Sequence, residues 1–127
     1  MKTILVDAVN ALIIKEEGIF EEMYNLLEKY PNRKIVLTGA NEEEQKKFGF
    51  EDVPYEFFTL SHNPEKSDPE YYRKMLEKFS LNVEDVIYFE HNEDAVKSAE
   101  SVGIKTYHYV KDKRDIEALE NFLSNNL

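Results

Sequence analysis

The sequence contains no cysteine. That excludes a disulfide framework, a thiolate zinc site and thiol nucleophile chemistry, and it fits a reducing compartment. No stretch approaches the roughly 18 consecutive apolar residues needed to cross a bilayer, and the N-terminus lacks the basic-then-apolar run of a secretory signal. The expectation is a chain that begins at Met1 and stays in the cytoplasm. Positive charge is scarce as well: 16 Lys and Arg stand against 26 Asp and Glu, a net charge of −10. Nonspecific attraction to nucleic acid or anionic lipid would have to overcome that field, so neither partner is expected. A small anionic ligand remains compatible, because amides, a lysine and a metal can reverse the potential inside one cleft. There is no internal repeat and no low-complexity tract, and 127 residues suit one domain, residues 1–127, around one core.

What the chain does have is a regular alternation of strand and helix signals. Ile4-Leu5-Val6, Lys34–Thr38, Phe57–Leu60, Val86–Phe89 and Ile104–Tyr109 read as strands. Between and after them, apolar residues recur at helical spacing: Ile19 to Tyr30, a helix opening at Asn41 with Glu44 placed for a capping box, and a helix capped by Asp68 with Pro69 in its first turn. A further helix follows Asn92 and stops at Gly103, and a last one starts near Asp112. Five such alternations predict a three-layer α/β/α, Rossmann-like fold with a mainly parallel five-stranded sheet covered on both faces.

In a parallel sheet the ligand crevice lies beyond the carboxyl ends of the strands. The polar residues expected there are Asp7, Thr38 with Gly39, Lys66, and Glu90-His91-Asn92-Glu93-Asp94. Asp7-Ala8-Val9-Asn10-Ala11-Leu12 stands where a D-x-D-G-T-L motif would, Thr38 ends the next strand, Lys66-Ser67-Asp68-Pro69 matches K-x-D-P before a helix, and Phe89-Glu90-His91 precedes a helix ending Ala99-Glu100-Ser101-Val102-Gly103-Ile104. In order and spacing these segments resemble the haloacid dehalogenase (HAD) superfamily of aspartate-nucleophile hydrolases, over essentially the whole chain.

The resemblance implies a HAD-like hydrolase, a Mg²⁺-dependent phosphohydrolase with Asp7 as nucleophile. Thr38, Gly39 and Lys66 would hold the phosphate, and Asp7, the backbone carbonyl of Val9 and Glu90 would hold Mg²⁺. Val9 removes the second aspartate of the first motif, the group that protonates the leaving oxygen and later activates water, so activity is expected to be weak or altered. Asn10 replaces a glycine and tolerates a left-handed turn, Ala11 loses a hydroxyl, and His91 replaces a carboxylate beside Glu90, with Glu93 and Asp94 near enough to compensate. The intervals between motifs leave no room for a cap domain, so the cleft should be open to phosphorylated small molecules or macromolecules, unless an oligomeric partner covers it.

Other readings stay open. Asp7 could be a turn acid, Thr38 could bond its own backbone, Lys66 could be a solvated charge, and His91 could be a hydrogen-bonded loop histidine. His62 and His108 suggest no role, and the aromatic residues at helical spacing read as core. The departures at Val9, Ala11 and His91 would also suit a catalytically inactive HAD-like binding or regulatory protein. A receiver-type signalling domain has a similar length and alternation, but the third strand here ends Thr59-Leu60-Ser61, without the phosphoacceptor aspartate that family requires.

Overall fold

The computed structural model describes residues 1–127. Strand β1 (Thr3–Asp7) is buried along its whole length, as a continuous apolar run demands of a strand packed on both faces. The chain then makes a tight loop and a hairpin of two-residue strands, β2 (Ile13–Ile14) and β3 (Gly18–Ile19), before helix α1 (Glu21–Glu28). Strand β4 (Lys34–Leu37), helix α2 (Glu42–Lys47) and strand β5 (Glu56–Phe58) follow, then α3 (Pro69–Phe79), β6 (Val86–Glu90), α4 (Glu93–Val102), β7 (Lys105–His108) and α5 (Ile116–Asn126).

The main sheet has five strands in the order β5-β4-β1-β6-β7, and every neighbouring pair is parallel. The chain builds outward from β1 to β4 and β5, then returns to the other side of β1 for β6 and β7. That reversal of direction is the topological switch point where α/β sheets form their crevice. Register places Asp7 beside Leu37 of β4 and Val6 beside Phe89 of β6, so the ends of these three strands are level.

Period-two alternation sorts the strand side chains into two cores. Ile4, Val6, Val36, Ile87 and Phe89 pack with Met23, Leu26 and Leu27 of α1 and Leu119 and Leu123 of α5. Leu5, Ile35, Leu37 and Tyr88 pack on the other face with Tyr71, Tyr72 and Met75 of α3 and Ala99 of α4. Each fully buried Val, Leu, Ile, Phe or Met among them contributes about 1.5–3 kcal/mol of transfer free energy.

The helix ends follow the expected chemistry. Asn41 and Glu44 form a reciprocal capping box on α2, Asp68 accepts from the Glu70 amide ahead of Pro69, Asn92 accepts from the Ala95 amide, and Gly103 ends α4 at φ 102°. Several boundaries shift by a residue or two, and two differences have a visible local cause. Strand β5 stops at Phe58; the Thr59 hydroxyl donates to the Ala40 carbonyl (2.7 Å) and accepts from the Ser61 amide (3.0 Å), and Ser61 and His62 then take left-handed φ, which turns the chain out of the sheet. Helix α5 begins at Ile116, because Lys113 closes a turn onto Val110 (3.1 Å) and Arg114 has φ 45°, leaving Asp115 to cap the Ala118 amide (2.9 Å). The β2–β3 hairpin replaces the plain loop expected after β1; strands of two residues are too short to show alternation. No cap domain interrupts the intervals between β1 and β4 or between β4 and β5. No helix is long and apolar enough to cross a membrane.

Candidate active site

Asp7 closes β1 at the switch point and is almost fully buried, as is Glu90 at the end of β6. The loop after Asp7 is fixed by its own backbone: the amides of Ala11 and Ile13 donate to the Ala8 carbonyl (3.1 and 3.0 Å), and Asn10 donates to the Ile13 carbonyl (2.8 Å). Asn10 adopts φ 74°, a conformation asparagine accepts more readily than most residues. Ala11, which stands in for a threonine in the motif, is a buried core residue.

Lys66 arrives from the loop before α3 and joins the two acids. Its Nζ donates to Asp7 Oδ1 (2.9 Å), to Glu90 Oε1 (2.6 Å) and to the Leu37 carbonyl (3.2 Å). His91 takes the other side. Its backbone amide donates to Asp7 Oδ2 (3.0 Å), and its ring Nδ1 contacts that same oxygen and lies 3.2 Å from Glu90 Oε2. Glu90 also accepts from the Tyr88 hydroxyl and from the Asn92 amide (3.0 Å). The Tyr72 hydroxyl extends this chain to Tyr88 (3.3 Å). Every carboxylate oxygen of the pair therefore has a donor.

This arrangement perturbs each group in a definite direction. Burial pushes the Asp7 carboxyl up, as does the neighbouring Glu90 charge, while Lys66 and His91 pull against them; the net shift is upward. Burial opposes ionisation of Glu90 too, but the Lys66 ammonium and the hydrogen bonds from His91, Lys66 and Tyr88 outweigh it and hold Glu90 well below the usual carboxylate range. Burial lowers His91, yet its hydrogen bonds to Asp7 and Glu90 prevail and raise it to about 9. Lys66, desolvated but facing two carboxylates, stays firmly protonated. Two buried acids are thus met by two cations, which is what buried charge requires.

A cavity of about 240 Å³ opens above this network, bordered by Asp7, Val9, Thr38, Gly39, Lys66 and His91. Glu90 lies behind it, reached through Lys66 and His91. The Thr38 hydroxyl oxygen accepts from the Ala40 amide (3.0 Å), leaving its own O–H available as a donor. The Gly39 amide finds no backbone carbonyl as acceptor. A Cβ at Gly39 would lie 3.4 Å from both His62 Nδ1 and Glu65 Oε2, so these two side chains stand directly over the glycine. Glu93 and Asp94 are exposed on the first turn of α4, where Glu93 pairs with Lys97 (3.4 Å), and they do not join the acids.

Three participants escaped the sequence reading. His62 forms part of the cavity wall, its ring gripped by Glu44 (2.5 Å) and Glu65 (2.8 Å), and Lys15 contributes a further cation to the rim; no periodicity marks either. Tyr88 could have been found, since residues two apart on a strand share a face and it precedes Glu90 by two.

Asp7, Glu90 and His91 offer three ligand atoms within 4.8 Å of one another. Two hard carboxylates suit a divalent cation such as Mg²⁺, while the imidazole nitrogen is a borderline donor.

No protein-family profile matches the sequence, and no curated protein matches it. Solved structures do. A HAD-family enzyme from Bacteroides thetaiotaomicron, a mutant in complex with magnesium and inorganic phosphate, superposes with TM-score 0.64 at 16% identity, covering 85% of this chain and 93% of that one. A candidate beta-phosphoglucomutase from Thermotoga maritima covers both chains completely, with TM-score 0.66 and 14% identity. A haloacid dehalogenase-like hydrolase protein from Bacillus subtilis gives 0.52 at 13% identity over 98% of this chain and 87% of its own. The chain has the HAD-like α/β fold.

Proposed function

We propose that residues 1–127 form one HAD-like domain that acts as a phosphohydrolase with Asp7 as nucleophile, slowed or altered by Val9. The observation that carries this reading is a buried carboxylate at the switch point, held by Lys66 and facing a cavity of about 240 Å³. One oxygen of Asp7 would attack phosphorus, forming an O–P bond as the bond to the leaving oxygen breaks, and water would then hydrolyse the aspartyl phosphate. The Thr38 hydroxyl, the Gly39 amide and Lys66 would donate to phosphoryl oxygens, and Lys66 would also balance charge on the nucleophile side. Asp7, Glu90 and the Val9 carbonyl would hold Mg²⁺, which would neutralise charge between nucleophile and phosphoryl group. Val9 offers no proton to the leaving oxygen, a deficit worth roughly 10²–10⁴-fold in rate. With no cap over the cavity, the substrate class is a phosphate ester on a small molecule or a macromolecule.

The test is phosphate release from an aryl phosphate and a panel of phosphate esters with Mg²⁺ present. Turnover that disappears in Asp7→Asn supports the reading; turnover equal to that variant's background across the panel defeats it. One observation favours a second reading, a catalytically inactive binding protein: both Asp7 oxygens are engaged by Lys66 and His91. That reading expects phosphate or beryllofluoride to bind the cavity without turnover in either the native chain or Val9→Asp.

A further inference from the structure

The His91 ring stands where the two acids converge. Its Nδ1 contacts Asp7 Oδ2 and lies 3.2 Å from Glu90 Oε2, so it occupies the space between the two carboxylates. Most of the other acceptor sites are taken: Lys66 Nζ bridges Asp7 Oδ1 and Glu90 Oε1 (2.9 and 2.6 Å), Tyr88 adds a second donor to Glu90 Oε1, and the backbone amides of His91 and Asn92 donate to Oδ2 and Oε2 at 3.0 Å each, so that, with the ring counted, Asp7 Oδ1 alone has a single donor. A divalent cation drawing on both carboxylates, at about 2.0–2.1 Å for Mg²⁺, needs the lone pairs that now face the ring.

The ring is also anchored from behind. Nε2 meets the Asn10 amide at 3.4 Å, and the His91 carbonyl is held by His108 Nε2 at 2.9 Å. An amide can turn its oxygen to that ring atom, so Asn10 can accept from the protonated ring. The cavity beside His91 offers room for the ring to swing aside.

We propose that the His91 side chain is an internal occupant of the cation position, so that the ring and a divalent metal exclude one another and His91 gates metal entry to the Asp7–Glu90 pair. The proposal deepens the hydrolase reading and rests on it for the identity of the site, but its measurement is independent of turnover.

The experiment is calorimetric titration of Mg²⁺ into the full chain and into His91→Asp and His91→Ala, with circular dichroism to establish that each is folded. Mg²⁺ should bind both variants at least about tenfold more tightly than the native chain, a shift of ~1.4 kcal/mol. In the native chain, saturating Mg²⁺ should move the imidazole ¹H–¹³C resonances of His91 to those of a ring without carboxylate contacts. Equal affinity in all three proteins, no binding in any, or a His91 nitrogen directly bound to the metal overturns the proposal. If His91→Asp does not fold, His91→Asn takes its place with the same expectation. Absence of turnover in every protein, with the affinity difference intact, defeats the hydrolase reading and leaves the gate standing; turnover with no affinity difference does the reverse.

Discussion

Replacing Lys66 with methionine tests the charge network most directly. The side chain is only 15% exposed and its Nζ serves three acceptors, two of them carboxylate oxygens that are themselves buried. Methionine keeps most of the volume and removes the charge, leaving Asp7 and Glu90 with His91 as their one cation. Removing one partner of a buried ion pair costs about 3–5 kcal/mol, because the surviving charge stays desolvated. At about 4 °C per kcal/mol for a domain of this size, the melting temperature should fall by about 12–20 °C. Such a loss consumes a large part of the ~5–15 kcal/mol that typically holds a domain together. Urea unfolding followed by far-UV circular dichroism at pH 7 gives the difference, with the slope checked for constancy. Lys66→Met combined with Glu90→Gln removes one charge of each sign and should recover part of the loss. The deficit should also shrink in acid. Glu90 is held below its ordinary value in the native protein, so its stabilisation is present above that ordinary value and is lost as pH falls. A single-variant loss below about 1 kcal/mol, the range of an exposed pair, would refute the idea that these groups form one desolvated network.

Other expectations follow from neighbouring features. His91 is raised from 6.5 to about 9 in the folded chain, so the stability it contributes is fully present below pH 6.5 and is lost as pH rises through 9; urea midpoints across that window should decline, and the decline should flatten in His91→Asn. Val9→Asp supplies the absent proton donor and should raise phosphate release by roughly 10²–10⁴-fold with Mg²⁺ present; unchanged release in an assay that detects the native activity would show that more than an acid is missing. Asp68→Ala removes the acceptor for the Glu70 amide (2.9 Å) at the start of α3 and should cost about 0.5–2 kcal/mol by urea unfolding, whereas a loss near zero would mean that Pro69 alone sets that helix end.

The layered architecture was legible because β1, β4 and β6 are continuous apolar runs and the helices between them carry unambiguous end signals at Asn41, Asp68, Asn92 and Gly103. Those signals are local, and local chemistry decides them. The gathering of Asp7, Lys66 and Glu90 was legible only through the motif resemblance together with the rule that ligands lie beyond strand ends. What the sequence could not display was side-chain direction. His91 reads as a substituted carboxylate, but that it turns back between the two acids depends on where β6 ends relative to β1. His62 reads as a loop histidine; its place over Gly39 follows from two consecutive left-handed residues, Ser61 and His62, that no composition rule anticipates.

The central position of β1 has a kinetic consequence. Its hydrogen-bonded contact between Asp7 and His91 closes a separation of 84 residues, and parallel pairing between distant segments is slow because loop closure must precede the contacts that reward it. Until β6 docks beside β1, Asp7 remains hydrated and Lys66 lacks one of its two anions. A chain emerging from the ribosome therefore holds no version of this site before Glu90 and His91 are free of the exit tunnel. A ligand that recognises the assembled cluster would slow unfolding while leaving the folding rate unchanged.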